Sequence, residues 1–145
     1  MATTHEIAPG RRIDLGSEVV GLARSDRRAR LVEQPGGPPK RIDGLTVGAP
    51  ELSGPDPHDG EVHPDGDELL YLVSGAVTLT LELPDGDRSV DLGPGDAVVV
   101  PQGVWHKITL REPGRLIHIT PGPNGEARHL PRSGPAPTAT APAPR

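Results

Sequence analysis

The sequence contains no cysteine and no phenylalanine, and it has one tryptophan and one tyrosine among its 145 residues. The absence of cysteine excludes a disulfide framework and a thiolate metal site. With so few aromatic rings, the hydrophobic core must come from valine, leucine and isoleucine. No run of about 18 apolar residues occurs, and no basic segment followed by an apolar one opens the chain. We therefore expect neither membrane insertion nor export, and a cytoplasmic location is the default.

Charge and backbone composition narrow the class further. The formal net charge is −5, which disfavours nucleic acid as a partner. The 19 glycines and 19 prolines suit a chain of many short strands and turns and disfavour long helices. The length is that of a single domain. These features predict an all-β protein built as one domain.

The chain divides into three parts by composition. Residues 1–40 form an N-terminal arm, in which residues 11–34 predict one or two strands that are added to the domain or lent to a partner subunit. Strand signals then recur at short, regular spacing over residues 41–122, as in a sandwich or barrel. Residues 123–145 form a tail rich in proline and alanine, which we expect to be disordered because it offers little apolar surface to bury.

The stretch GEVHPDGDELLYLVSG, residues 60–75, carries the clearest functional signal. Glu61 and His63 are two positions apart, so in a strand they point to the same face. A turn through Pro64 and Gly66 follows, which lets the chain fold back and brings Glu68 towards the same pair. The stretch predicts two carboxylates and one imidazole close together.

A second stretch, GDAVVVPQGVWH over residues 95–106, ends at His106. The two stretches, separated by a predicted two-stranded segment, resemble the two motifs of the cupin family over roughly residues 45–122. The first family motif reads His-x-His, three or four residues, Glu, six residues, Gly; the second reads Gly, five residues, Pro-x-Gly, two residues, His, three residues, Asn. The positions that match are His63, Glu68, Gly75, Gly95, Pro101, Gly103 and His106.

Two positions depart from the family pattern. Glu61 stands where the family usually has histidine, and Leu110 stands where it has asparagine. The resemblance implies a small jelly-roll barrel, the double-stranded β-helix of a single-domain cupin, that holds one divalent metal ion. It does not identify a reaction, because one fold hosts many functions.

The four candidate ligands form a mixed nitrogen and oxygen set: Glu61, His63, Glu68 and His106. Such a set suits one divalent transition metal, namely Fe, Mn, Ni, Co or Zn. Glu61 has two possible roles, as a ligand in place of the usual histidine or as a base beside a three-ligand metal. His58 is an alternative to Glu61, although Asp59 and Gly60 are expected to interrupt the strand between His58 and His63.

Strand parity predicts which other side chains share the interior. With Glu68 inside, Leu70 and Leu72 also point inwards, and with His106 inside, Ile108 and Leu110 do the same. If the face of His118 is the inner one, this residue could support a ligand or act as an acid or base; otherwise it is an ordinary histidine of the core or surface. The outward set is predicted to form an apolar patch through which, as in many cupins, two copies pair as a homodimer: Leu69, Tyr71, Val73 and Trp105.

The predicted function is that of a metal-dependent enzyme acting on a small organic acid or carbonyl compound, because such groups chelate metals. A dioxygenase is the leading candidate, and a lyase or isomerase is the alternative reaction class. Glu61 and His118 are the candidate catalytic side chains. A non-catalytic small-molecule-binding protein is the alternative outside enzymes. A DNA-binding regulator is disfavoured, because about 40 residues of poor helical pattern precede the barrel.

Overall fold

The computed structural model describes residues 2–55 and 59–128, which form strands joined by turns, with no helix among them. In that part of the chain, nothing resembles a helix able to cross a membrane. The strands are β1 (Thr4–Glu6), β2 (Val20–Ala23), β3 (Ala29–Val32), β4 (Gly44–Gly48), β5 (Glu51–Leu52), β6 (Glu61–Val62), β7 (Glu68–Leu72), β8 (Ala76–Leu83), β9 (Gly86–Leu92), β10 (Ala97–Val100), β11 (His106–Glu112), β12 (Gly114–Gly122) and β13 (Glu126–Ala127).

The strands form two antiparallel sheets. The first sheet has the order β1-β3-β2-β4-β12-β7-β10, with β5 also paired to β12. The second sheet has the order β13-β6-β11-β8-β9. Consecutive motif strands lie in different sheets, since β6 belongs to the second sheet and β7 to the first. The all-β jelly-roll prediction is confirmed.

The hydrophobic core fills the space between the two sheets and is aliphatic, as the composition requires. Strand β7 alternates strictly, with Glu68, Leu70 and Leu72 buried and Tyr71 39% exposed, which confirms the predicted parity. The buried apolar residues of the core are Leu70, Leu72, Val77, Leu79, Leu81, Leu92, Val100 and Leu116. The motif histidines and Glu68 share this interior, so the candidate site is built into one end of the core.

The N-terminal arm extends the first sheet of its own chain. β2 pairs with β4, placing Val20 opposite Val47, and β3 pairs with β2. β1 adds an edge strand, Thr4–Glu6, before the segment in which strands were predicted. Of the two predicted alternatives, addition to the chain's own sheet and donation to a partner, the structure has the first.

The predicted disordered tail begins too early. Glu126–Ala127 form β13, which pairs with β6 at Val62 and Glu61. The physical reason is that β6 needs a hydrogen-bonding partner on the edge that β11 leaves open. The remainder of the tail, residues 129–145, lies outside the described residues.

Gly75, the last residue of the first motif, is required by a close approach of two backbones. Its φ is +88°, and a Cβ there would lie 2.6 Å from the Pro113 carbonyl oxygen and 2.7 Å from that of Glu112. Gly95, in the second motif, has a similar φ of +93° but open space around it. A side chain at Gly95 would therefore suffer backbone strain alone, whereas one at Gly75 would suffer both backbone strain and steric overlap.

Gly75→Ala should consequently destabilise the fold more than Gly95→Ala. Positive φ alone costs a non-glycine residue about 1–2 kcal/mol, and the carbonyl clash at Gly75 should add at least about 1 kcal/mol. Urea unfolding of both variants measures the difference. Equal free energies of unfolding would contradict the steric role assigned to Gly75.

Candidate metal centre

The two motif segments are joined by hydrogen bonds that place their histidines side by side. Gly103 N–H donates to the His63 carbonyl at 3.0 Å, and the Gln102 side-chain amide donates to the Pro64 carbonyl at 2.7 Å. The Gln102 backbone N–H donates to the Asp67 carboxylate at 2.8 Å. The turn after His63 thus packs directly on the turn before His106, which explains why both motifs contain proline and glycine at fixed spacing.

Strand pairing then fixes the position of Glu61. β6 and β11 pair with Glu61 directly opposite His106, and paired residues on neighbouring strands project to the same side. Ligand atoms of Glu61, His63 and His106 all lie within 4.8 Å of one another. The structure therefore brings together three of the four predicted ligands as one group that could hold a metal ion.

Glu68, the fourth predicted ligand, lies between the two imidazoles. Its Oε1 is 3.1 Å from His106 Nε2, and its Oε2 is 3.3 Å from His63 Nε2. Its Oε2 also accepts a hydrogen bond from the Thr120 hydroxyl at 2.6 Å. Burial raises the pKa of Glu68, but the hydrogen bond from His106 and the neighbouring His63 outweigh it, so the pKa is held well below its usual range. The carboxylate is ionised at neutral pH.

His106 is held from both sides of its ring. Nδ1 lies 3.2 Å from the Val104 carbonyl and Nε2 faces Glu68. Burial lowers the pKa of His106, but the hydrogen bond to Glu68 and its charge outweigh burial and raise the pKa above the usual value. A donor bond from Nδ1 to a backbone carbonyl leaves Nε2 directed at the centre, which is the arrangement of a metal-ligating histidine.

His63 is the anomaly of the interior. It is 2% exposed, and neither ring nitrogen has a hydrogen-bond partner among the described residues. Carboxylate oxygens of Glu68 and Glu61 lie 3.3 and 3.5 Å from its Nε2 but make no hydrogen bond with it. An unsatisfied buried polar group costs about 1–3 kcal/mol. A divalent cation bound at Nε2, beside two carboxylates, would satisfy that nitrogen, so the residues present fit a metal ion.

His118 is partly buried, and within the described residues it forms no hydrogen bond with His63 or His106. Its Nδ1 is 2.9 Å from the Thr120 hydroxyl, whose single proton is donated to Glu68. Nδ1 must therefore be the donor in the His118 contact. Burial lowers the pKa of His118, so the ring is neutral at neutral pH. Within the described residues, hydrogen bonds therefore link His118 to Glu68 through the Thr120 hydroxyl.

Arg41 is a site residue that the sequence did not indicate. Its guanidinium Nη2 lies 3.4 Å from Glu61 Oε1, and its side chain is only 15% exposed. It precedes the first barrel strand and follows a proline- and glycine-rich segment, so no strand periodicity identified its direction. His58, the predicted alternative to Glu61, lies outside the described residues.

The predicted apolar patch is wrong in one member. Trp105 directly precedes β11 of the second sheet, and the Arg128 guanidinium carbon lies 4.0 Å from its ring centroid. Leu69, Tyr71 and Val73 lie on or beside β7 in the first sheet. Parity correctly placed Trp105 on an outward face, but it cannot say which sheet that face belongs to.

Comparison with known proteins gives the same family for the barrel. The family model described as "Cupin domain" matches residues 53–120. Acireductone dioxygenase of Bacillus velezensis is 37% identical over 60 residues, which cover 41% of this chain and 34% of that protein. The chain thus aligns with about a third of that relative's length.

Solved structures with the same fold include Bacillus subtilis oxalate decarboxylase. A structure reported for its Mn(II) centres and one determined at pH 4.6 each align with a TM-score of 0.51 and 19% identity. Each alignment covers 57% of this chain and 23% of the oxalate decarboxylase chain. At this identity the likeness concerns the fold alone. The motif spacing, the two-sheet barrel, the Glu/His/His group and the family match together show that residues 53–120 of this chain form a cupin domain.

Proposed function

We propose that this protein is a metal-dependent cupin enzyme acting on a small organic acid or carbonyl compound, with a dioxygenase as the leading reaction class. The observation that carries the proposal is His63, a buried imidazole that has no hydrogen-bond partner in the described part of the chain and lies beside Glu61, Glu68 and His106. A cluster kept only for stability would not leave both nitrogens unsatisfied.

The ligand set we propose is Glu61, His63, Glu68 and His106, holding one divalent Fe, Mn, Ni, Co or Zn ion. When bound, such an ion supplies Lewis-acid polarisation or oxygen activation. Glu68 is fixed in place by Thr120, whereas Glu61 is 22% exposed and lies on the open side of the group. Glu61 is therefore the carboxylate placed to meet a substrate, either while ligating or as a base.

His118 is proposed as a positioning residue. By donating to the Thr120 hydroxyl, it orients the hydroxyl proton towards Glu68. Its neutral form is favoured by burial, so it adds no charge to the centre. This arrangement maintains one geometry of the Glu68 carboxylate.

Similarity to acireductone dioxygenase supports a dioxygenase over the other reaction classes, since it extends over 60 residues at 37% identity. The matched part is 34% of that enzyme, so its substrate does not transfer to this chain. A metal-dependent lyase or isomerase is the alternative reaction, and a non-catalytic small-molecule-binding cupin is the alternative to an enzyme.

The test is turnover of a panel of small organic acids and carbonyl compounds by metal-reconstituted protein, with and without O₂. Turnover that requires O₂ supports the dioxygenase. Turnover without O₂ moves the assignment to a lyase or isomerase. Tight binding of panel members with no turnover under any metal or oxygen condition would overturn the enzyme proposal in favour of a binding protein.

We also propose that the chain is a homodimer that pairs through the outer face of its first sheet. This face carries the exposed large apolar side chains Leu22, Leu45, Leu69, Tyr71, Val73 and Val99. The strand register makes it continuous, because Leu22 lies opposite Leu45 and Leu69 opposite Val99. Burial of apolar surface contributes about 25 cal/mol per Å², so a stable dimer of about 800 Å² per partner is within reach of such a face.

Replacing Leu69 and Val99 with aspartate should convert the dimer to a monomer, because it places two desolvated charges in the interface. Light scattering at micromolar concentration measures the mass. Thr109→Asp, an exposed change on the second sheet, is the matched control and should leave the dimer intact. A monomeric wild type at this concentration would contradict the proposal.

A further inference from the structure

Arg41 enters the metal centre from the segment that joins the N-terminal arm to the barrel. Its side chain is 15% exposed, and the carboxylate it faces, Glu61, is 22% exposed. Both are far less exposed than the surface pair Arg24 and Asp43, at 76% and 56%. Removing a guanidinium from water is costly unless its donors are used, so the position of Arg41 calls for a reason.

The contact with Glu61 does not use those donors fully. A guanidinium has five N–H groups, and Arg41 makes one hydrogen bond within the described residues, at 3.4 Å. Other arginines of this chain form shorter, two-pronged pairs, such as Arg24 with Asp43 at 2.9 and 2.7 Å. Arg41 therefore has N–H groups that could donate to a further acceptor at the open side of the centre.

Two glycines let the backbone pass close to the Arg41 side chain. A Cβ on Gly125 would lie 3.1 Å from Arg41 Nη1 and 3.7 Å from His63 Nδ1. A Cβ on Gly122 would lie 2.8 Å from Arg41 Cβ. The guanidinium edge and the His63 ring thus border the same point.

Charge favours an anion in this place. Glu61 and Glu68 carry two negative charges, which a divalent ion balances, and Arg41 then leaves the centre with one net positive charge. A monocarboxylate would neutralise it, whereas an uncharged carbonyl compound would not. The planar guanidinium also matches a carboxylate in shape and offers two parallel hydrogen bonds.

We propose that Arg41 binds the carboxylate group of the substrate and thereby restricts the substrates of this centre to small carboxylic acids. The inference rests on the metal-dependent function proposed above and names the substrate class for it. Arg41 is a specificity residue here, distinct from the residues that hold the metal.

The test compares an acid with its uncharged counterpart. Binding of pyruvate and of pyruvamide to the Zn(II)-loaded protein is measured by calorimetry for wild type, Arg41→Met, Arg41→Lys and Arg24→Met. We expect Arg41→Met to weaken pyruvate binding by about tenfold or more, as loss of a charge-assisted pair does. Pyruvamide binding should change by less than about twofold. Arg41→Lys should lie between, because it keeps the charge but loses the two-pronged geometry.

The controls separate this role from a structural one. Arg24→Met removes a surface arginine and should leave both dissociation constants unchanged. Metal content is measured for each protein, and loss of zinc from Arg41→Met would overturn the inference by showing that Arg41 only holds Glu61. Unchanged pyruvate binding in Arg41→Met, or equal binding of acid and amide by wild type, would also overturn it. If Arg41→Met does not fold, Arg41→Lys decides, and wild-type affinity for pyruvate in that variant contradicts the inference.

The failure of the proposed function has a different signature. A wild-type protein that takes up no divalent metal overturns the metal-dependent function itself. A wild type that is loaded with zinc but does not distinguish pyruvate from pyruvamide overturns the inference about Arg41 alone.

Discussion

Replacing His63 with alanine is expected to weaken divalent-metal binding by more than about 100-fold, and His106→Ala should do the same. Loss of a group that merely supports a ligand costs about 10–100-fold in affinity, so loss of a ligand should cost more. Each variant removes one of the two imidazoles at the centre. Elemental analysis after reconstitution and calorimetric titration with Zn(II) measure the effect.

Removing the His63 side chain should have little effect on the stability of the metal-free protein. In the metal-free protein, neither buried ring nitrogen of His63 has a hydrogen-bond partner among the described residues. Removing the ring relieves the free-energy cost of these unsatisfied groups but leaves a cavity. The two effects oppose each other, so the metal-free melting temperature should change little. Wild type should gain about 2.7 kcal/mol at a free metal concentration 100 times its dissociation constant, and the variants should not.

His5→Ala is the matched control for these variants. His5 is exposed on β1 and pairs with Glu33, far from the barrel interior. It should leave both metal content and metal-induced stabilisation unchanged. Equal metal affinity in wild type, His63→Ala and His106→Ala would contradict the proposed ligand set.

Replacing Glu61 with histidine should retain the metal but change turnover by about tenfold or more. The change restores the usual family residue at this position and removes one negative charge from the centre. A carboxylate in place of an imidazole weakens a bound metal as a Lewis acid and, for iron, favours its oxidised state. Substrate affinity should change less than turnover, because the proposed carboxylate contact is made by Arg41.

The measurement for Glu61→His is the turnover number with the best substrate of the panel, alongside metal content. Glu112→His provides a control, because it adds a histidine at an exposed position on β11. It should match wild type in both respects. Turnover equal to wild type in Glu61→His would show that the charge of Glu61 has no role in the reaction.

Local rules predicted the strands and turns, whereas the barrel and the grouping of His106 with the other proposed ligands were implied by the resemblance of the two motifs to the cupin family. Alternation placed Glu68, Leu70 and Leu72 on one face, and the structure buries all three. The spacing of Glu61 and His63, with the turn after them, predicted a cluster that the structure shows with His106. These relations depend on neighbours in the chain or on turn geometry, which the sequence displays directly.

What could not be predicted depends on how strands assemble. Arg41 reaches Glu61 because β4 and β12 pair in one register and because the backbone at Gly122 and Gly125 can pass close to the Arg41 side chain. None of these facts is visible in the residues around Arg41. Trp105 was placed in the wrong patch for a related reason, since parity gives the face of a strand but not its sheet. Strand β13 formed within the predicted tail because β6 offered it an edge.

X-ray absorption spectroscopy of the Zn(II)-loaded protein shows whether the buried imidazoles are metal ligands. The technique counts imidazoles bound to the metal. We expect two bound imidazoles in the wild-type protein, at the Zn–N distance of about 2.0–2.1 Å, and oxygen atoms as the remaining donors. His118→Ala should keep both, because His118 bonds to the Thr120 hydroxyl and is not one of the proposed ligands. A wild-type spectrum that shows oxygen donors and no bound imidazole would contradict the assignment of His63 and His106 as metal ligands.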